Sequence, residues 1–528
     1  MNKEHPPMTH PLFRRGHLLI ALALSAGCSW PAAAAAPTFP PPATPVLGVN
    51  KYNLSLQYLG LASGGDGSVS WQRLGRALAR KSLDDARYYN FAFLRISATG
   101  YGPRHPKDRN DLALWQSDPA KYWQIIDTMM DDVEKRHLQL VVTLNWQSMQ
   151  FPNIAGETRT DMIARTGSRS FELAARYARE FVQRYRQRRA ILFWELTNEM
   201  NLSADLDSQQ RCERSDVAQA SGDEDLYCQA NGNYSTDEML SYMRAMAAVV
   251  RAADPTRPIS SGFSIPRPNA NALRQSPEWK PQAGRRSQPD NEEQFAQYLK
   301  DVHAAVDIFS IHIYDGHNRS QLNRLGDKEL DILNRVQNIA QSAGKQVFLG
   351  EFGDPTMDES DAGFNARVLN KLKERRVSYA APWILEYRYS LSPNAKRTKA
   401  DSFTLDPEQH MRTLNRMAQF NGPRRDTAAA PPRVVVTWPL ECDTVRPGDV
   451  VTVTASADAP QQPRVELWVN QKLVGQLDQP PYAWKVPEAA QGRYDVVAKV
   501  TDSRGQHSEY QTRWNTPRNG TCEPLPLQ

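Results

Sequence analysis

Two glutamates, Glu199 and Glu351, each close a short apolar run. The first run is Ile191-Leu192-Phe193-Trp194-Glu195-Leu196-Thr197-Asn198, and the second is Val347-Phe348-Leu349-Gly350. Runs this short and this apolar read as buried strands, so each carboxyl group stands at a strand mouth. A carboxyl pair so placed is what cleavage of a glycosidic bond requires. One group protonates the leaving oxygen, while the other attacks the sugar carbon or activates water. The proton donor must stay protonated near neutral pH, which partial burial and a neighbouring carboxylate both favour.

Other strand ends carry residues that could serve such a pair. Asn198 offers an amide to a sugar hydroxyl. His312 and Tyr314 share strand parity in Ile311-His312-Ile313-Tyr314, so both face one side. Arg95 stands in Phe93-Leu94-Arg95-Ile96, and Trp383 could stack on a pyranose ring. Taken singly, a histidine on an apolar strand reads as a satisfied core residue, and a lone Arg as the partner of a carboxylate such as Glu195. Their joint occurrence at successive strand ends favours a site. Asn145-Trp146 follows another apolar run, and both are candidate sugar contacts; Trp146 could line a sugar subsite or cap the strand layer.

These residues need elements to hold them. Eight apolar runs with little alternation read as buried parallel strands: 46–50, 91–97, 138–144, 190–197, 258–263, 308–314, 346–351 and 380–385. Amphipathic helices alternate with them. Asp118-Pro119 signals a helix start, Ser235 with Glu238 a capping box, and Phe171, Ala174, Ala178, Phe181 and Tyr185 an apolar stripe. The fold class is therefore α/β, a (β/α)8 TIM barrel over residues 46–420. Polar insertions at 201–234 and 264–296 follow strand ends on the side where barrels build sites. A Pro/Ala-rich linker, 421–432, precedes seven short strands separated by turn residues in 433–528, an all-β sandwich. Val465–Gly475 and Tyr494–Asp502 resemble bacterial immunoglobulin-like modules appended to secreted polysaccharidases. Spacer and carbohydrate-binding roles both remain open for this module.

A hydrophobic content of 40% with 23% charged residues describes a globular chain, and a net charge of +5 without a clustered basic face excludes a nucleic-acid partner. The first 35 residues read as a secretory signal: Arg14-Arg15, the apolar run from Leu18, then Ala32–Ala36. Residues 36–45 form a leader. A lipoprotein signal at Cys28 is the rival reading, in which the protein sits on the outer membrane rather than being secreted or periplasmic. No later stretch is long and apolar enough to span a membrane. With Cys28 removed, four cysteines remain. Pairing within domains gives two disulfides, Cys212–Cys228 and Cys442–Cys522. No His lies near them at ligand spacing, so neither a metal nor another cofactor is expected, and the chain is expected to act as a monomer.

Over residues 46–420 the chain resembles glycoside hydrolase family 5 and its clan-A relatives. The matching positions are Arg95 after strand two, Asn198-Glu199 after strand four, His312 and Tyr314 on strand six, Glu351 after strand seven and Trp383 after strand eight. The resemblance implies a retaining mechanism with Glu199 as acid/base and Glu351 as nucleophile. Many members carry a His just after strand three. Here Asn145-Trp146 looks more like the mannanase branch. A secreted endo-β-1,4-mannanase is therefore expected. A β-1,4-glucanase or exopolysaccharide hydrolase of the same mechanism, and a non-catalytic glycan-binding protein, are the alternatives.

Overall fold

Gly48 interrupts the first strand crossing, and that break shows how the barrel closes. The crossing consists of β1 (Val46–Leu47) and β2 (Val49–Asn50). β1 bonds in parallel to β9 (Tyr379–Pro382), and β2 bonds in parallel to β3 (Phe93–Ser97). Between them run β4 (Gln139–Asn145), β5 (Ile191–Thr197), β6 (Ile259–Ser260), β7 (Ile308–Tyr314) and β8 (Gln346–Gly353), in the order β1-β9-β8-β7-β6-β5-β4-β3-β2. The ring is thus eight parallel crossings, as the sequence predicts. The structure, a computed structural model, describes residues 39–62, 65–99, 112–146, 149–208, 232–280, 288–315, 330–387, 403–423, 431–456, 462–488, 492–517 and 522–526.

The helices form where their start signals stand. Asp118 accepts a hydrogen bond from Lys121 N at the head of helix Pro119–Lys135. Ser235 and Glu238 form the reciprocal box that opens helix Thr236–Ala253, which buries Met239, Met243, Met246 and Val250. Helix Arg169–Tyr185 buries Phe171, Ala174, Ala178, Phe181 and Tyr185.

Inside the ring the inward positions form layers. Phe93, Val141, Phe193, Ile308, Phe348, Tyr379 and Ala381 fill the lower one. Two residues further along the same strands the character inverts, to Arg95, Thr143, Glu195 and Ser310, all buried. A polar layer thus floors the mouth that holds Glu199 and Glu351. At the opposite end Asn421 accepts from Leu47 N at 2.8 Å and donates to Leu47 O at 2.8 Å and Asn90 O at 2.7 Å. This residue, expected to open the linker, is bound into the barrel floor.

Seven strands follow. β10 (Arg433–Trp438), β11 (Val450–Ser456) and β14 (Tyr482–Lys485) form one antiparallel sheet, ordered β10-β11-β14. β12 (Arg464–Val469), β13 (Lys472–Leu477), β15 (Arg493–Thr501) and β16 (His507–Asn515) form the other, ordered β13-β12-β15-β16. Their inner faces share one core around Val453, Leu467, Val496 and Trp514. Cys442 and Cys522 are disulfide-bonded, as expected. Cys28, Cys212 and Cys228 lie outside the described residues, as does the proposed 212–228 bridge.

The sandwich packs directly on the barrel. Helix Val69–Tyr88 turns Leu74 and Leu78 toward Tyr387 and Val435, and these four form one buried cluster. Arg73 pairs with Glu441, and Arg433 Nε donates to Asp84 at 2.7 Å. Glu408 Oε1 accepts from Thr454 Oγ1 at 2.7 Å and from Ala455 N at 2.8 Å on β11.

Candidate active site

Arg95 is the hub of the barrel mouth. Its position within apolar β3 buries the guanidinium completely, so all its donors must find partners. Nε donates to Glu195 Oε1 at 2.7 Å, Nη1 to Glu351 Oε1 at 2.7 Å and to Asn50 Oδ1 at 3.1 Å, and Nη2 to Asn198 Oδ1 at 2.8 Å. Four crossings of the ring are thereby tied to one planar cation. Burial alone would weaken its hold on the proton, but Glu195 and Glu351 reverse this and raise it. Glu195 takes further bonds from Thr143 Oγ1 at 2.7 Å and Ser260 Oγ at 3.3 Å. Arg95 is thus the carboxylate partner that a lone Arg on an apolar strand suggests, and the same side chain also reaches Glu351.

The two glutamates stand in different surroundings. Glu351 is buried, and its Oε2 accepts from Tyr314 Oη at 2.5 Å while Oε1 faces Arg95. A cation and a phenol thus donate to its two oxygens. Glu199 lies in the left-handed region, with φ 50° and ψ 24°, a conformation that costs a non-glycine residue strain and turns its carboxyl group into the cleft. Its own N–H donates to Gly262 O at 2.8 Å. Gly262 is itself at φ +76°, and a Cβ there would meet Thr197 O at 1.7 Å, so only glycine fits the strand end that anchors Glu199.

The Glu199 side chain keeps 32% of its surface open. Even so, desolvation of its carboxyl group raises its proton affinity, opposed by a hydrogen bond from Ser264 and the charge of Arg95. His312 Nδ1 lies 2.8 Å from Glu199 Oε1 and 3.5 Å from Glu351 Oε2. Burial pushes the His312 imidazole down to about 4, so it is neutral near pH 7. Gly350 makes room for it, since a Cβ there would fall 2.8 Å from His312 Nε2. Carboxylate oxygens of Glu199 and Glu351 and a ring nitrogen of His312 all lie within 4.8 Å of one another. By donor type this trio could ligate a metal ion, but the Arg95 guanidinium already occupies Glu351 Oε1 and competes with any cation.

Aromatic rings wall one side. Tyr52 and Trp383 stack with centroids 5.4 Å apart and planes 6° apart. Trp146 lies 5.9 Å from Trp383 and 4.5 Å from the Arg95 guanidinium. Trp146 is buried while Trp383 is partly open, so Trp383 is the face a sugar can reach. Asn145, also read as a sugar contact, is buried, and its amide donates to Tyr242 Oη at 3.1 Å in the helix layer. The structure thus brings together Arg95, Asn198, Glu199, His312, Tyr314, Glu351, Trp146 and Trp383, and turns Asn145 toward helix Thr236–Ala253.

Four participants are absent from the sequence reading. Asn50 ends the first crossing and donates to Gly350 O at 2.8 Å and Ala381 O at 3.0 Å. Its signal was a polar residue closing an apolar strand. Tyr52 and Ser264 sit in loops without periodicity. Asn201 holds the Ser264 backbone by Nδ2 to O at 2.8 Å and N to Oδ1 at 3.0 Å. The two polar insertions thus clasp beside Glu199.

Residues 75–387 match the family model for cellulase, glycosyl hydrolase family 5. The chain belongs to glycosyl hydrolase family 5. This family 5 chain is a glycoside hydrolase, and its residues 432–498 match the bacterial Ig domain. No curated protein sequence matches it. Among solved structures, an endo-β-1,4-mannanase from Thermotoga petrophila is 14% identical over 90% of this chain and 98% of its own, with a TM-score of 0.47. An endo-1,4-β-mannanase from Rhizomucor miehei is 14% identical over 71% of this chain and 94% of its own, with a TM-score of 0.46. A family 5 mannosidase from the same organism is 13% identical over 72% and 94%, with a TM-score of 0.43.

Proposed function

We propose that this family 5 hydrolase cleaves a β-linked polysaccharide with retention, Glu199 serving as acid/base and Glu351 as nucleophile. The observation that carries this reading is the approach of the two carboxylates, with oxygens within 4.8 Å. Retaining pairs lie about 5–5.5 Å apart, whereas inverting pairs stand about 6.5–9.5 Å apart to admit a water. Protonated Glu199 gives its proton to the glycosidic oxygen as Glu351 attacks the anomeric carbon. The bond to the leaving sugar breaks and an ester to Glu351 forms. Glu199, now a carboxylate, takes a proton from water. That water attacks the anomeric carbon and releases Glu351. Neutral His312 keeps a hydrogen bond to Glu199 in either state, and Asn198, its Oδ1 held by Arg95, has its amide nitrogen left for a substrate hydroxyl.

The substrate in this reading is β-1,4-mannan, attacked within the chain. It rests on Asn145-Trp146 at the end of β4, where a cellulase-type site would carry His. The protein acts outside the cytoplasm, and the Cys442–Cys522 disulfide supports an oxidising compartment. Among the described residues no helix is long and apolar enough to cross a membrane.

A screen on mannan, glucomannan, carboxymethylcellulose and xylan tests the substrate. Fast viscosity loss on mannan is expected; activity on carboxymethylcellulose alone would move the assignment to a β-1,4-glucanase and leave the mechanism standing. Proton NMR of a fresh digest tests the mechanism, and β-configured first product is expected. An α-configured product would refute it.

A further inference from the structure

The seam between barrel and sandwich holds a cationic cavity that catalysis does not use. Helix Val69–Tyr88 sets Arg73, Arg76 and Arg80 along one flank, three and four residues apart and therefore one above another. Arg433 of β10 and Tyr510 of β16 face them from the sandwich, and together they line a cavity of about 120 Å³.

Three of these arginines have carboxylates. Arg73 pairs with Glu441, Arg80 Nε with Asp132 at 2.9 Å, and Arg433 Nε with Asp84 at 2.7 Å. Arg76 has none among the described residues, and its Nε is buried without a hydrogen-bond partner. Glu509 also lines the cavity, exposed and bonded to Gln511 Nε2 at 2.8 Å, so four guanidinium groups face one carboxylate on the lining. Burial and then the like charge of Arg80 weaken the hold of Arg76 on its proton, which Tyr58 and Asp132 only partly offset.

We propose that this cavity binds a single oxyanion group, a carboxylate, sulfate or phosphate, with Arg76 as its principal donor and Arg433 closing it from the sandwich. Guanidinium donors match planar and tetrahedral oxyanions in pairs. A volume of about 120 Å³ has room for one such group, while the rings of an oligosaccharide would have to stay outside it. The group enters either as a free ion or as an acidic substituent of a polysaccharide whose sugar rings stay outside.

Thermal unfolding of the full chain, at matched ionic strength, tests this with sodium sulfate, sodium phosphate or an oligogalacturonate against sodium chloride. At least one of the three should raise the midpoint above the chloride value with a saturable dependence. Arg76→Gln should weaken that apparent affinity about tenfold or more, the loss expected for one charged hydrogen bond, while leaving polysaccharide cleavage unchanged. Arg76→Lys should keep part of the affinity. A response to sulfate or phosphate identifies a free-ion site, and a response to the oligogalacturonate alone identifies a carried group. Sulfate also stabilises proteins by exclusion from their surface, an effect that Arg76→Gln would not alter. Equal shifts in wild type and Arg76→Gln, or none above chloride with any of the three, overturn the proposal.

Discussion

Arg95 Nη1 lies 2.7 Å from Glu351 Oε1, and through Nε the same guanidinium holds Glu195 at 2.7 Å. One buried cation therefore serves both a carboxylate at the mouth and a carboxylate in the polar floor. A lysine cannot reach both, since an ammonium is a point charge without the planar fork. Arg95→Lys should lower kcat by about 100-fold or more, the scale of losing a preorganised electrostatic contact. Arg95→Met should also destabilise the fold by about 3–5 kcal/mol, because Glu195 would be left as an unpaired buried charge. Urea unfolding with steady-state kinetics checks both; a Lys variant with normal kcat would show that the fork is dispensable.

Glu351→Ala should abolish turnover, since no other group can form the ester. Glu199→Ala should lose about 100- to 10,000-fold on polysaccharide, the usual worth of a general acid. It should lose much less on an aryl glycoside whose leaving group needs no proton. Azide should restore part of that variant's activity and yield a glycosyl azide. Failure of azide to rescue, with normal folding by circular dichroism, would move the acid/base role to another residue.

Ser264 bonds the carboxyl group of Glu199 and lowers its proton affinity, against the raising effect of burial. Ser264→Ala removes the opposing influence, so Glu199 should hold its proton to higher pH. The alkaline limb of the kcat profile, where the acid is lost, should move up in pH. A limb that stays fixed or moves down would separate it from Glu199.

Tyr52 backs Trp383 with stacked planes at 5.4 Å. Tyr52→Ala should loosen the platform and weaken substrate binding by about 0.5–1.5 kcal/mol, the worth of an aromatic pair, while Tyr52→Phe should not. The loss should appear in KM more than in kcat. An unchanged KM would place the sugar elsewhere.

Glu408 is pushed up to about 7 by burial and then by the charge of Asp406. Its folded value lies above the ordinary 4.5, so its contribution to stability is full below about pH 4.5 and is lost as pH rises through about 7. Glu408→Gln removes this dependence. The wild type should lose stability relative to Glu408→Gln between these limits, read as urea midpoints across that range. Parallel curves would contradict the prediction.

The barrel strands were legible because parallel strands buried on both faces are written as apolar runs, as in Val347–Leu349. Most of the mouth was legible for a related reason: Arg95, Glu199 and Glu351 interrupt or close such runs. Where the structure departs from the reading, local geometry is the cause. β6 is only Ile259–Ser260, shorter than the expected 258–263, because Gly262 takes a positive φ and ends the extension. Ser264 and Tyr52 left no trace because contacts between loops have no period. Asn145 closes β4, one residue beyond the expected 138–144, and its side-chain direction depends on Tyr242, which lies 97 residues away. Nor did Leu74 and Leu78 announce a partner. An apolar stripe shows that a helix is covered and not what covers it.

The close fit of barrel and sandwich has a consequence for how such modules can be exchanged. Tyr387, four residues beyond Trp383, belongs to the cluster that Val435 completes, and Glu441 neutralises an arginine of the barrel. Cutting the chain at 421–432 would therefore uncover Leu74, Leu78 and Tyr387 and strand the Arg73 charge. A graft from another hydrolase would need an apolar residue at 435 and an acid at 441 before it could seat. In this chain the two matched families have become a single heritable unit, in which recombination at the linker is penalised even though no catalytic residue is touched.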